Sequence, residues 1–197
     1  MLKTKDKWLC ILAVEGLESI GDRRAVEPLI RMLKDKESEL REAAAYALGG
    51  FGDRRAVAPL IAVLRNDSDA SVREAAACSL GKLRDERAIV PLAEALAEDD
   101  ADVKDDAAAA LARIGRAAVV ALVEVLEHEK GESQRLAAKA LGKIGDLRAV
   151  PALIGALKDG DARLCQAAAT ALERLTGQNF GDDHEAWKKW WQKRSRR

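Results

Sequence analysis

Aromatic residues are scarce in this 197-residue chain: four Trp, two Phe and one Tyr, or 4%. Sheet-built cores lean on aromatic and β-branched side chains, so this scarcity beside abundant alanine points to closely packed helices. Net charge is also lacking. The 33 Lys and Arg balance 33 Asp and Glu, which excludes a global positive field that would draw in nucleic acid or an anionic membrane. No apolar run reaches the ~18 residues that span a bilayer, and no signal peptide is expected before the first helix. The three cysteines, Cys10, Cys78 and Cys165, fall in separate stretches that helix layers of roughly 10 Å would hold apart, so no disulfide framework is expected. The cytosol is the expected compartment.

Catalytic groups are as sparse. The two histidines, His128 and His184, have no Cys, Asp or Glu at a recognised metal spacing. No GxSxG, phosphate-cradling Gly loop or HExxH occurs. Asp105 and Asp106 are neighbours that diverge by about 100° on a helix, which argues against a paired-carboxylate site. A non-enzyme without cofactor or metal is the expectation.

What the sequence does contain is a repeat. GDRRAVEPL from Gly21 returns as GDRRAVAPL from Gly52, RDERAIVPL from Arg84, a shortened GRAAVVAL from Gly115 and GDLRAVPAL from Gly145. The copies align Leu29, Leu60, Leu92, Leu122 and Leu153, with steps of 31, 32, 30 and 31 residues. Two apolar stretches per period of that length predict stacked helix pairs in an all-α solenoid. One domain is expected, with a half repeat at 1–20, repeats at 21–51, 52–83, 84–114, 115–144 and 145–175, and a Trp-rich cap with a basic tail at 176–197.

Each unit follows one grammar. Gly21, Gly52, Gly115 and Gly145 end the preceding helix, and Asp22, Asp53, Asp85 and Asp146 are predicted N-caps. Pro28, Pro59, Pro91 and Pro151 fall near the start of the first helix. An acidic turn leads to a second helix such as LREAAAYALG from Leu40 or VREAAACSLG from Val72. Its buried stripe of small residues is anchored by Leu48, Leu80, Leu111, Leu141 and Leu172, and Ser71 with Glu74 predicts a capping box. Arg41, Arg73 and Lys104 are expected to pair with acids of the preceding turn, such as Glu37, Asp69 and Asp102. The fourth repeat lacks the Asp cap and the proline, which makes 115–135 the expected deformable section.

The ends differ. Residues 5–20 read as a second helix without its partner, and its Leu9, Ile11, Leu12 and Val14 suggest a monomer or a weak dimer through this helix. At the other end Trp187, Trp190 and Trp191 fall at i, i+3 and i+4, so they share a face that is expected to lid the last repeat.

The recurring GDxRAVxPL followed by VRxxAAxALGxIG resembles the HEAT-like repeats named after phycobilisome lyases, over roughly Leu9 to Leu175. The tail LTGQNFGDDHEAWKKWW is similar to the segment that often closes such arrays. The resemblance implies a right-handed superhelix, an α-solenoid of the HEAT-like and armadillo-like class, with first helices convex and second helices concave. It also implies binding of other proteins or scaffolding, with bilin attachment in a few members and DNA binding in distant relatives. Ser133-Gln134 and Leu164-Cys165 depart from the VR pattern.

On that geometry the concave face carries Glu42, Ala43 and Tyr46; Glu74, Ala75, Cys78 and Lys82; Asp105, Asp106, Ala109 and Arg113; Arg135, Leu136, Lys139 and Lys143; and Gln166, Ala167, Thr170 and Arg174. In that order it runs from acidic to basic, as a protein partner of opposite polarity would require. Glu42, Glu74, Asp105 and Asp106 disfavour nucleic acid. The expected function is a non-catalytic interaction or scaffold module. A lyase-type subunit or chaperone that handles a tetrapyrrole is the alternative, for which Tyr46 is the single aromatic on the face.

Overall fold

The computed structural model describes Gly16 and residues 22–195. The expected N-terminal helix at 5–20, Gly21 and Cys10 therefore lie outside the described residues, Gly16 excepted. Eleven α-helices occur among those described, and no strand does. They are α1 (Val26–Met32), α2 (Ser38–Phe51), α3 (Val57–Asn66), α4 (Ala70–Leu83), α5 (Ile89–Glu98), α6 (Ala101–Ile114), α7 (Val119–His128), α8 (Glu132–Ile144), α9 (Val150–Ala156), α10 (Ala162–Thr176) and α11 (His184–Ser195). The chain folds as two compact units, Met1–Ile114 and Gly115–Arg197.

The predicted aspartate caps act one step earlier than expected. Asp22, Asp53, Asp85 and Asp146 cap short 3-10 turns, at Arg23–Ala25, Arg54–Ala56, Glu86–Ala88 and Leu147–Ala149. Each carboxylate accepts from the backbone N–H two residues on, and the turn runs straight into the first helix. Arg24, Arg55, Arg87 and Arg148 fold back onto the same carboxylates, so one side chain satisfies a helix-entry donor and a cation together. Pro28, Pro59 and Pro91 are third in α1, α3 and α5, and Pro151 is second in α9. There the missing N–H costs nothing. Gly52 and Gly145 close α2 and α8 with φ of 63° and 75°, but Arg84 closes α4 in the same left-handed region at φ 50°. The fourth repeat enters through Gly115 at φ 88° without a side-chain cap.

The second helices pack on one another, α2 on α4 and α4 on α6 in the first unit and α8 on α10 in the second. Small residues set how closely. A β-carbon on Gly81 would lie 2.8 Å from the Cα of Ala110, and one on Gly142 would lie 2.9 Å from the Cα of Ala171. The anchors Leu48, Leu80, Leu111, Leu141 and Leu172 are all 0% exposed, each removing on the order of 2–3 kcal/mol of apolar surface from water. Buried Ser79 donates to the carbonyl of Ala45 at 2.8 Å, which ties α4 to α2.

The capping box expected at Ser71 does not form. Asp69 is the N-cap of α4 and accepts from the Ser71 N–H at 3.0 Å, so Ser71 is already inside the helix. An ionised carboxylate is the stronger acceptor, and it moves the helix start forward.

Trp187 is 0% exposed and its Nε1 donates to the Gly181 carbonyl at 2.8 Å. Phe180 meets its ring edge-on at 4.9 Å, and Trp190 at 6.0 Å. α11 packs on α9.

Candidate interaction faces on the second helices

The basic row resolves first. Arg41 makes two bonds of 2.7 Å to the carboxylate of Asp67, and Arg73 binds Asp99 at 2.6 Å and Asp100 at 2.7 Å. These acids lie in the turn of the following repeat. For the two arginines the expected partners Glu37 and Asp69 are therefore corrected: each guanidinium pairs forward across the layer rather than with an acid of its own preceding turn.

Toward the preceding turn the same position bonds backbone instead. Arg41 donates to the Asp35 carbonyl and Arg73 to that of Asp67, both at 2.9 Å. Lys104 donates to Ala97 at 2.9 Å, Gln134 to Leu126 at 3.0 Å, and the Cys165 thiol to Asp159 at 3.2 Å. The departures from the VR pattern thus keep the contact that pins the turn. Burial, with nearby Asp159, raises the Cys165 pKa, which keeps it a neutral donor. The row is structural, and Arg41 and Arg73 are largely buried within it.

Of the residues expected on the interaction face, Glu42, Tyr46, Glu74, Cys78 and Asp106 are half-buried, and Lys82, Asp105 and Arg113 are exposed. All are in the first unit. Lys82 sits over the Tyr46 ring at 5.8 Å, and Arg113 approaches the Cys78 sulfur at 4.0 Å. Burial raises the Glu74 pKa, helped by Asp106, Asp102 and Glu42. Burial also raises that of Asp106, against the opposing pull of Arg113. Tyr46 is raised by burial and then by Glu74, Cys78, Asp106 and Glu42. Acidic Glu42, Glu74 and Asp106 thus lie within electrostatic reach of Tyr46, with the cations Lys82 and Arg113 among them.

In the second unit Arg135 is half-buried and Lys139, Lys143, Gln166, Thr170 and Arg174 are exposed. They line one depression of about 880 Å³ between α8 and α10. Arg135 pairs with Glu132 at one end, and the Thr170 hydroxyl donates to the Gln166 carbonyl at 2.8 Å. Three residues expected to point outward do not: Ala75, Leu136 and Ala167 are buried, because they fall on the edge of the apolar stripe that faces neighbouring helices.

Sequence reasoning missed Arg163, which also lines the depression. The signal was present, since Arg163 stands where earlier repeats carry Glu39, Ser71, Asp102 and Glu132.

Among the described residues no group of three or more His, Cys, Asp or Glu side chains could hold a metal ion. None of the helices there is long and apolar enough to cross a membrane.

Comparison with solved structures finds the same architecture. The complex of CpcE and CpcF of phycocyanin lyase from Nostoc sp. PCC7120 is 27% identical, over 84% of this chain and 68% of that chain, with a TM-score of 0.61. An archaeal HEAT-like repeats protein from Thermococcus onnurineus NA1 is 16% identical over 88% and 80%, with a TM-score of 0.59. A designed armadillo repeat protein in complex with the peptide (KR)4 is 22% identical over 83% and 85%, with a TM-score of 0.54. A comparison with curated proteins found no match. A family profile described as HEAT repeats matches residues 1–79, 40–112 and 91–173. With paired helices, leucine columns and inter-repeat arginines as described, the chain belongs to the HEAT-repeat family.

Proposed function

We propose that this HEAT-repeat chain is a non-catalytic interaction module that binds a partner protein through its second-helix faces. One observation carries the reading: along the second helices the small residues face neighbouring helices, and polar, mostly charged side chains occupy the open places. Such a surface is held by the helix ladder and loses little conformational entropy on binding. Charged side chains then supply selectivity.

The test is affinity capture from native lysate with three variants beside the unaltered chain. Asp105→Lys alters the first unit's face, Lys139→Glu with Lys143→Glu alters the second's, and Glu124→Lys alters an exposed place on the first helix α7. Loss of captured proteins in either face variant, with retention in Glu124→Lys, supports the reading. The same captured set in all variants refutes it.

A second reading follows from the 27% identity to the phycocyanin lyase complex: a lyase-type subunit or chaperone that handles a tetrapyrrole. Mixing the purified chain with bilin separates the two, because a bound chromophore shifts its absorbance band and a protein-only module leaves it unchanged.

A further inference from the structure

The depression between α8 and α10 differs from the rest of the second-helix surface in carrying one sign of charge. Its lining contains no acidic side chain. Arg135 is matched by Glu132, but Lys139, Lys143, Arg163 and Arg174 pair with no acid among the described residues. Resting on the reading that these faces bind a protein, we propose that the depression takes an extended acidic segment of the partner, with carboxylates at alternate residues.

The spacing argues for this shape. Arg135, Lys139 and Lys143 follow one another at four-residue steps along α8, so their stems leave the helix about 6 Å apart over a run of about 12 Å. In an extended chain, side chains two residues apart point the same way at about 6.6 Å. Alternate carboxylates therefore meet the successive unpaired cations Lys139 and Lys143, beyond the Arg135 that Glu132 already holds. On the opposite wall Arg163 and Arg174 stand at either end of α10's exposed row, with the neutral Gln166 and Thr170 between them. These two offer hydrogen-bonding groups where the segment's backbone would run.

The floor argues for a thin occupant. It is made by Gly142, Ala167 and Ala171, where the two helices approach so closely that a β-carbon on Gly142 would lie 2.9 Å from Ala171 Cα. A helix about 10–12 Å across would ride high on the walls, whereas an extended chain reaches the floor. A compact inorganic anion needs cations that converge on one point, and here they are strung out along a line.

The test is fluorescence anisotropy of the full chain with a labelled (Asp-Ala)4 peptide at low and physiological salt. Binding is expected, weakening with salt. It should fall at least tenfold in the Lys139→Glu, Lys143→Glu double variant, persist in the Lys139→Arg, Lys143→Arg variant, and be undetectable for (Lys-Ala)4. Equal affinity for a block peptide of four Asp followed by four Ala overturns the alternating segment. Unchanged affinity in the double Glu variant overturns the site, and tighter binding of a twelve-nucleotide oligothymidylate, lost in the same variant, makes it a nucleic-acid surface. If the peptide fails to bind but captured proteins still depend on Lys139 and Lys143, the acidic-segment class is wrong and the protein-binding reading stands; if both fail, both fall.

Discussion

Arg41 and Asp67 lie 26 residues apart in sequence and form a two-pronged ion pair at 2.7 Å between consecutive repeats. Their side chains are only 13% and 7% exposed, and the same guanidinium donates to the Asp35 carbonyl. Removing one partner strands a desolvated charge and frees a turn carbonyl. Arg41→Ala should therefore lower unfolding stability by about 2–3 kcal/mol, at the low end for a buried pair because solvent retains some access. Arg24→Ala, which breaks the exposed Arg24–Asp22 pair, should leave unfolding stability close to that of the unaltered chain. Urea unfolding of both variants checks the contrast.

Acid should loosen the repeats in a defined window. Hydrogen bonds from Arg55, Arg87 and Arg148 hold Asp53, Asp85 and Asp146 down to about 2. A carboxylate depressed in the folded state contributes stability that is present above its unfolded value of about 3.9 and lost as pH falls toward the folded one. Glu74 and Asp106 act in the opposite sense. Burial, chiefly, raises their folded values, so their protonation favours the fold as pH falls toward 4. The melting temperature should hold or rise slightly down to about pH 4 and then drop between about 4 and 2. The Asp53→Asn, Asp85→Asn, Asp146→Asn variant should show a shallower drop by calorimetry.

Two single substitutions test the helix contacts and ends in opposite directions. Gly81→Ala forces a β-carbon into the backbone of Ala110. The overpacking of about 1–3 kcal/mol exceeds the helix-propensity gain of about 1, so stability should fall. Arg84→Gly relieves a left-handed residue at φ 50°. It should raise stability by about 0.5–1 kcal/mol after the larger entropy of the unfolded glycine is set against it. Thermal melts of the pair give the two signs.

Trp187→Ala empties the largest buried side-chain position in the C-terminal cap and removes the indole bond to Gly181. It should cost about 3–5 kcal/mol, read by thermal melting. An unchanged melting point with lost partner binding would make the Trp cluster a ligand platform instead.

The helix pairs were legible because burial on one helix face imposes its period on the sequence, and the leucine columns of Leu29 and Leu48 repeat without exception. The caps were legible in kind but not in place. Asp53 and its counterparts start a 3-10 turn rather than the helix, a difference of hydrogen-bond geometry that residue identity does not encode. The forward reach of Arg41 to Asp67 was not legible either, since local spacing favours Glu37 and Asp67 comes into reach only once the layers are stacked. The same holds for the face: Ala75, Leu136 and Ala167 sit where the pattern allows either side, and the width of the buried stripe decides. Arg163 shows the converse, a visible basic break in a mostly acidic column whose meaning depended on α8 lying opposite.

Lysine-reactivity footprinting of the full chain, alone and with its captured partner, tests the interaction faces most directly. The account predicts that Lys139 and Lys143 on α8 lose reactivity in the complex while Lys34 and Lys158, in the turns after α1 and α9, keep theirs. Protection of Lys34 and Lys158 with Lys139 and Lys143 still fully reactive would contradict it.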